Sequence, residues 1–244
     1  MFWRFGGYAN ITSIDNVLDK PDVTVEELLD ESDLIQELKQ QQNSKLIEFL
    51  REEEVLHRLL RYVVADESLE AESHAPPNEE DIASPASGLS FFGGKGKSRS
   101  RSKSTHAQRD REAEEDKKEA QRKKYAYVAC EVLSSEVWSI TEALLEYKDN
   151  LYEFWDFLRT PAPLDALHAG YFTKVNEALF DKKTEDMIAF LKTLPGIVPE
   201  MLKHVDCPMI MDLLLKMISL EKHEGGQGIV DVSTKDDAVR CYQN

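Results

Sequence analysis

The chain has 244 residues, 41% of them hydrophobic, so it is long enough for one large or two small domains and can bury a substantial core. Its net charge is −16, from 46 acidic and 30 basic residues, and residues 95–124 hold 12 of the basic residues and 6 of the acidic ones. The remainder therefore carries −22, a charge that repels nucleic-acid phosphates and membrane surfaces and favours basic partners.

The three cysteines, Cys130, Cys207 and Cys241, have no paired spacing, which indicates a reducing environment and no disulfide framework. No apolar run has the length of a signal peptide or approaches the ~20 residues of a membrane span. We expect a cytoplasmic location, with the nucleus as the second candidate, and no membrane partner. The aromatic N-terminal residues Phe2 and Trp3 either dock on the body or bind a partner.

Residues 11–66 are predicted to form short helices, because their apolar side chains recur at three- and four-residue spacing. Thr24 to Glu27 are predicted to form a capping box, in which each side chain satisfies a free backbone N–H of the other, and Asn43 or Ser44 is predicted to cap a later helix. The residues expected to point inward are Ile14, Val17, Leu18, Leu28, Leu29, Leu34, Ile35, Leu38, Leu46, Ile47, Phe49, Leu50, Val55, Leu56, Leu59, Leu60, Val63 and Val64. Eight acids and one lysine between Asp19 and Glu37 form either a solvated face or a docking site for a basic partner.

Residues 67–108 are rich in Pro, Gly and Ser and predict a disordered, low-complexity insertion. Within it, residues 98–104 alternate Ser with Arg or Lys. This pattern is typical of an RNA-binding or nuclear-import patch and also of a kinase substrate, whose phosphorylation sites would be Ser98, Ser100, Ser102 and Ser104. Because the run is short, lacks aromatic residues and is tethered to an acidic body, we favour a flexible surface insertion whose charge phosphorylation would reverse.

Helices resume after the insertion. Residues 111–124 predict a charged helix with Glu114–Lys118 and Glu119–Lys123 pairs, exposed until Tyr125 turns it into a core helix. Three more helices follow, the last of them after the Pro161-Ala162-Pro163 break, and Gly170 within it would allow close helix contact. The apolar residues that define them are Tyr125, Val128, Ala129, Val132, Leu133, Val137, Ile140, Leu144, Leu151, Phe154, Trp155, Leu158, Leu164, Leu167, Tyr171, Phe172, Val175, Leu179 and Phe180.

Residues 184–220 predict three short helices separated by Pro and Gly. The core face of the second is expected to consist of Val198, Met201, Leu202 and Val205. The third has one apolar face of Ile210, Leu213, Leu214 and Met217, while Met209, Met211, Leu215 and Ile218 cover much of the rest and Asp212 pairs with Lys216. A helix that is apolar nearly all round has to be covered on both sides, which favours an α-solenoid of stacked layers.

The sequence contains few patterns that indicate a catalytic site. There is no phosphate-binding Gly-rich loop, no G-x-S-x-G elbow and no H-E-x-x-H. His204 and Cys207 supply two ligands where a structural zinc needs four, and Cys130 and His168 are distant in sequence, so we expect a core cysteine beside a surface histidine. The sequence predicts neither an enzyme nor a catalytic, metal, cofactor or small-molecule site.

Several ordered blocks resemble the SAPS family, which comprises the Sit-four-associated proteins of fungi and the regulatory subunits of protein phosphatase six in animals. The blocks are MFWRF at the start, VLDK at 17–20, VTVEELLDESDLIQEL at 23–38, QNSKLIEFL at 42–50, YVACEVL at 127–133, YFTKV at 171–175 and IMDLLLK at 210–216. The resemblance implies an all-α, armadillo/HEAT-like solenoid, of fungal type in its long insertion, that binds the catalytic subunit of a phosphatase-six-like Ser/Thr phosphatase and directs its activity or substrate choice. It implies no catalytic residue, and the residues that contact the partner do not follow from it.

Four segments are therefore expected. They are an N-terminal helical part (1–66), the insertion (67–108), the helical continuation (109–222) and a polar tail unlike the family (223–244), which suggests a truncated product whose last helix lacks its covering layer. The alternative function is a nucleic-acid-associated factor that uses the Arg/Ser run.

Overall fold

The computed structural model describes residues 13–40, 43–65 and 103–223, and within helical residues 103–112 and 221–223 it describes the backbone alone. All regular structure in these ranges is helical, which confirms the all-α prediction. No helix in them is both long enough and apolar enough to cross a membrane. The N-terminal arm, Ser98 to Arg101 and the polar tail lie outside the described residues.

The helices are short except for three, of 31, 17 and 16 residues. Their bounds are α1 Ser13–Leu18, α2 Val25–Asp30, α3 Leu34–Gln40, α4 Ser44–Leu50, α5 Glu53–Val63, α6 Lys103–Leu133, α7 Trp138–Glu146, α8 Lys148–Trp155, a 3-10 turn Asp156–Arg159, α9 Ala166–Lys182, α10 Thr184–Leu191, α11 Ile197–Leu202 and α12 Pro208–His223.

The chain divides into two compact units. One, which we call the helical body, consists of Met1–Asp66 and Lys124–Asn244, and the other, the inserted unit, is Glu67–Lys123. Helix α6 begins at Lys103, eight residues before the charged helix predicted from Arg111, so the last residues assigned to a disordered insertion are helical. The rest of that insertion, residues 67–102, lies outside the description.

Two helices of the body begin at N-capping side chains that the sequence predicts. The Thr24 hydroxyl accepts a hydrogen bond from the Glu27 N–H at 3.3 Å, and the Asn43 side chain accepts one from the Leu46 N–H at 3.0 Å. The reciprocal half of the capping box does not form, because the Glu27 carboxylate binds Lys20 at 3.0 Å instead.

Helix α9 lies at the centre of the body and packs against α5, α7, α10 and α12. Its Phe172 is fully buried, and the ring lies 4.8 Å from that of Phe154 and 5.3 Å from those of Trp155 and Phe157. Aromatic clusters of this kind bury large apolar areas and add ~0.5–1.5 kcal/mol per favourable ring pair. Consecutive helices also contact each other, as a layered arrangement requires, while the solenoid itself stays a prediction.

The structure corrects several predicted contacts. A Cβ added at Gly170 would meet nothing within 4 Å, so this glycine does not serve a close helix approach, and Leu167 is 38% exposed. Lys216 pairs with Asp181 of α9 at 2.7 Å, and not with Asp212 as its i,i+4 spacing indicated. The Glu119–Lys123 pair is present at 2.5 Å.

Candidate protein-interaction surfaces

Cys130 and His168 lie on neighbouring helices, but neither is set up for chemistry. The Cys130 thiol is buried and donates weakly to the Tyr171 carbonyl at 3.8 Å, and burial raises the pKa of the thiol to about 12. A thiol with that pKa stays protonated and is a poor nucleophile. The His168 Nδ1 is 2.8 Å from the Val63 carbonyl, so this ring ties α9 to the end of α5.

The His204–Cys207 pair is arranged in the opposite way to the prediction. His204 is only 1% exposed and its Nε2 lies 2.8 Å from the Leu158 carbonyl, whereas Cys207 is partly exposed. The histidine therefore belongs to the core, where it joins the segment after α11 to the 3-10 turn. Within the described residues no three His, Cys, Asp or Glu side chains are grouped closely enough to hold a metal ion.

The face of α11 that packs on the body is shifted by one residue from the predicted face. Ile197, Met201 and His204 point inward, while Leu202 and Val205 are 50% and 54% exposed. Val198, which is partly buried against the core, Leu202, and Val205 in the turn after α11 keep the i, i+4, i+7 spacing of an apolar helix face.

Helix α12 has a second apolar stripe with the same spacing. Ile210, Leu213 and Met217 are buried as predicted, but Leu215 and Ile218 face outward with 56% and 42% of their surface exposed. These two and the half-buried Met211 follow i, i+4, i+7 on the side away from the core. We call these two sets the apolar stripes; Val198 and Met211 are partly buried, whereas the other four residues are 42% to 56% exposed. Exposed apolar surface of this kind marks contact sites more often than scattered single residues do.

Two exposed aromatic groups lie on other helices. Trp138, at the start of α7, is 55% exposed, and the Lys183 ammonium lies 4.5 Å from its ring centroid. Tyr127 of α6 is 52% exposed and its ring lies 6.5 Å from that of Tyr171. Trp and Tyr in such positions are common anchors of protein–protein interfaces.

The acidic segment 19–37 is not a uniformly solvated face, because α2 uses two of its carboxylates within the body. The Glu26 carboxylate accepts hydrogen bonds from Arg58 and Tyr62, both at 2.5 Å. Burial raises the pKa of Glu26, but the bonds from Tyr62 and Arg58 outweigh burial and hold the pKa below its ordinary 4.5. Other acids of the segment also have partners: Asp19 pairs with Lys45, Glu27 pairs with Lys20, and Glu37 accepts a hydrogen bond from Asn43.

Asp30, one turn after Glu26, makes equivalent contacts. Its carboxylate accepts from Lys124 at 2.7 Å and from the Tyr125 hydroxyl at 2.9 Å. Partial burial acts to raise the pKa of Asp30, and the bonds from Lys124 and Tyr125 reverse this, so the pKa lies below 3.8. Of the predicted phosphorylation sites, Ser98, Ser100 and Ser102 lie outside the described residues, and Ser104 is described by its backbone alone.

The described part of the protein is all-helical, and its Cys130, His168 and His204 side chains and the Glu26 and Asp30 carboxylates are engaged in contacts between segments. Its exposed features are the apolar stripes and aromatic side chains. The family model described as "SAPS: SIT4 phosphatase-associated protein" matches residues 176–240. That range runs into the 223–244 segment that the sequence analysis placed outside the family, and so gives that boundary no support.

Relatives match over much more of the chain. Extragenic suppressor of kinetochore protein 1 of Schizosaccharomyces pombe is 34% identical over 236 residues, covering 95% of this chain and 23% of that protein. Serine/threonine-protein phosphatase 6 regulatory subunit 3 of Gallus gallus is 32% identical over 219 residues, 90% of this chain and 20% of that protein. SIT4-associating protein SAP185 of Saccharomyces cerevisiae is 38% identical over 122 residues, covering 50% and 12%.

With a matching family model and relatives of these names, the chain belongs to the SAPS family. It spans about a fifth of the length of the first two relatives. No solved structure matches it.

Proposed function

We propose that this chain acts as a regulatory subunit that binds the catalytic subunit of a phosphatase-six-like Ser/Thr phosphatase and directs its activity or substrate choice. The observation that carries the proposal is the alignment of about 90% of the chain with proteins named as phosphatase 6 regulatory subunits. The role is one of protein–protein contact, in which the helical body holds the catalytic subunit and shapes which phosphoproteins reach it.

The structure is compatible with such a role at the level of individual side chains. His168, His204 and Cys130, which have the chemistry to act in catalysis, are committed to contacts between helices. The outward surface instead offers the apolar stripes, a kind of surface that marks contact sites, and Trp138, a residue type that often supplies a large share of the binding energy at interfaces. The net charge of −16 adds long-range attraction for a basic partner surface.

Retention of purified catalytic subunits on the immobilised chain tests the proposal. We expect the phosphatase-six catalytic subunit to be retained and its hydrolysis of phosphopeptides to change in rate or sequence preference when the chain is added. A type-2A catalytic subunit serves as the specificity control. Folded chain that retains neither enzyme would contradict the proposal.

Surface variants then locate the contact. Leu215→Ser with Ile218→Ser alters an apolar stripe, Trp138→Ala removes the exposed aromatic side chain, and Asp19→Asn with Asp22→Asn reduces the acidic face. Each side chain is exposed, so we expect the fold to persist and retention to fall for the set that lies in the interface.

A further inference from the structure

Two carboxylates on consecutive turns of α2 hold side chains from both sides of the inserted unit. Glu26 binds Arg58 and Tyr62 of α5, and Asp30 binds Lys124 and Tyr125 of α6. The two tyrosine rings also meet edge to face, with centroids 5.5 Å apart and planes at 69°. We call these six residues the clasp.

The position of the clasp in the chain is as informative as its geometry. Tyr62 lies four residues before Asp66, where the first segment of the body ends, and Lys124 and Tyr125 are the first two residues after the inserted unit. The chain therefore leaves the body and re-enters it at side chains that touch each other, fixed to one face of α2.

Helix α6 changes character at the clasp. Every residue from 113 to 124 is exposed, whereas Tyr125 and Ala126 are 6% and 1% exposed and Ala129 is fully buried. Within its described part, the helix contributes to a core only from Tyr125 onward. Removing the residues before the clasp would therefore remove no described apolar contact from the body.

From these observations we infer that the clasp closes the helical body independently of the inserted unit. The inserted unit is then a module whose length, charge and modification can change without changing the fold of the body, because its ends are already held together. This inference does not depend on the phosphatase role.

Excision of the inserted unit tests this inference. In the variant, an eight-residue Gly/Ser linker replaces residues 67–123; it can span up to about 28 Å, and its final Ser can cap the shortened helix. We expect the thermal midpoint Tm to stay within about 3 °C of that of the full chain, since 1 kcal/mol corresponds to roughly 2–4 °C at this size. A linker variant that fails to fold, or whose Tm falls by more, overturns the inference.

A second variant tests the clasp itself. Tyr62→Phe with Tyr125→Phe keeps both rings but removes the two hydroxyl hydrogen bonds to the carboxylates, and we expect Tm to fall by about 3–6 °C in the full chain and equally in the linker variant. Tyr127→Phe is the matched control, since Tyr127 is 52% exposed on the same helix and its hydroxyl makes no hydrogen bond to any described residue. A double variant that behaves like the control would show that the clasp does not close the body.

The third measurement changes the charge of the inserted unit. Glu in place of Ser98, Ser100, Ser102 and Ser104 mimics phosphorylation of the basic run, and we expect the Tm of the body to be unchanged within about 1 °C. A shift of several degrees would mean that the two units are energetically coupled, and would overturn the inference.

Discussion

Glu26 and Glu27 are adjacent acids on α2 with different physical roles. The Glu26 side chain is 26% exposed and ties α2 to Arg58 and Tyr62 of α5, whereas Glu27 is 43% exposed and pairs with Lys20 nearby in sequence. A half-buried carboxylate with two donors contributes more to stability than an exposed ion pair, whose typical value is ~0–1 kcal/mol.

The clasp carboxylates should give the fold an acid-sensitive component. Because folding lowers the pKa of Glu26 below 4.5 and that of Asp30 below 3.8, the unfolded chain binds more protons than the folded one in this range. Their contribution is thus complete above about pH 4.5 and is lost as the pH falls through the folded-state pKa values. Denaturant unfolding measured between pH 3 and 7 should show that the free energy of unfolding decreases once the pH is lower than about 4.5.

Glu26→Gln separates this contribution from general acid effects. We expect the variant to lose about 1–2 kcal/mol at pH 7 and to show a shallower decline between pH 5 and 3. Glu27→Gln is the control and should change the free energy of unfolding by less than about 0.5 kcal/mol. Equal effects of the two substitutions would contradict the structural role assigned to Glu26.

At the scale of elements, α12 combines two apolar surfaces on one helix. Its inward face of Ile210, Leu213 and Met217 packs against α9, and Thr173 of α9 donates a hydrogen bond to the Met209 carbonyl at 3.1 Å. The outward stripe also has apolar residues three and four positions apart, but its Leu215 and Ile218 are 56% and 42% exposed. Sequence periodicity alone does not distinguish the two faces, because both have apolar residues three and four positions apart.

Two leucines of α12 make the distinction measurable. Leu213→Ala removes a fully buried side chain and should cost about 2–5 kcal/mol, whereas Leu215→Ala alters a side chain that is 56% exposed and should cost less than about 1 kcal/mol. The helix propensity change is the same in both variants, so it cancels in the comparison. Comparable losses in urea unfolding would mean that the outward stripe is buried in solution.

For the whole molecule, net charge and the apolar stripes oppose each other. A charge of −16 keeps copies of the chain apart, while exposed Leu202, Leu215 and Ile218 favour association. The balance should depend on pH, because the sequence isoelectric point is about 4.8.

Light scattering measured from pH 7 down to the isoelectric point tests this balance. We expect association to increase as the pH approaches 4.8 and, at pH 7, as salt screens the repulsion. Leu215→Ser with Ile218→Ser should reduce association near pH 4.8, and Trp138→Ala provides a comparison at a different exposed site. If the stripe variant associates like the parent protein, the apolar stripes do not drive association.

Helix positions and much of the core followed from the sequence, because they depend on interactions within one or two turns. The spacing of Ile210, Leu213 and Met217, the Thr24 and Asn43 caps and the transition at Tyr125 are all local signals, and the structure confirms them. The family resemblance was also readable, since ordered blocks spread over most of the chain identify a family without coordinates.

Which side chains pair with each other could be determined only from the tertiary structure. Asp30 lies 94 residues from Lys124 in the sequence, and Lys216 pairs with Asp181 although Asp212 is nearer in sequence. Neither contact can be predicted from the spacing of residues within one helix. The inward face of α11 was shifted by one residue because the Leu158 carbonyl gives the polar side chain of His204 a place in the core. Periodicity determines that a face exists, but packing between segments distant in sequence decides which face is buried and which remains available to a partner.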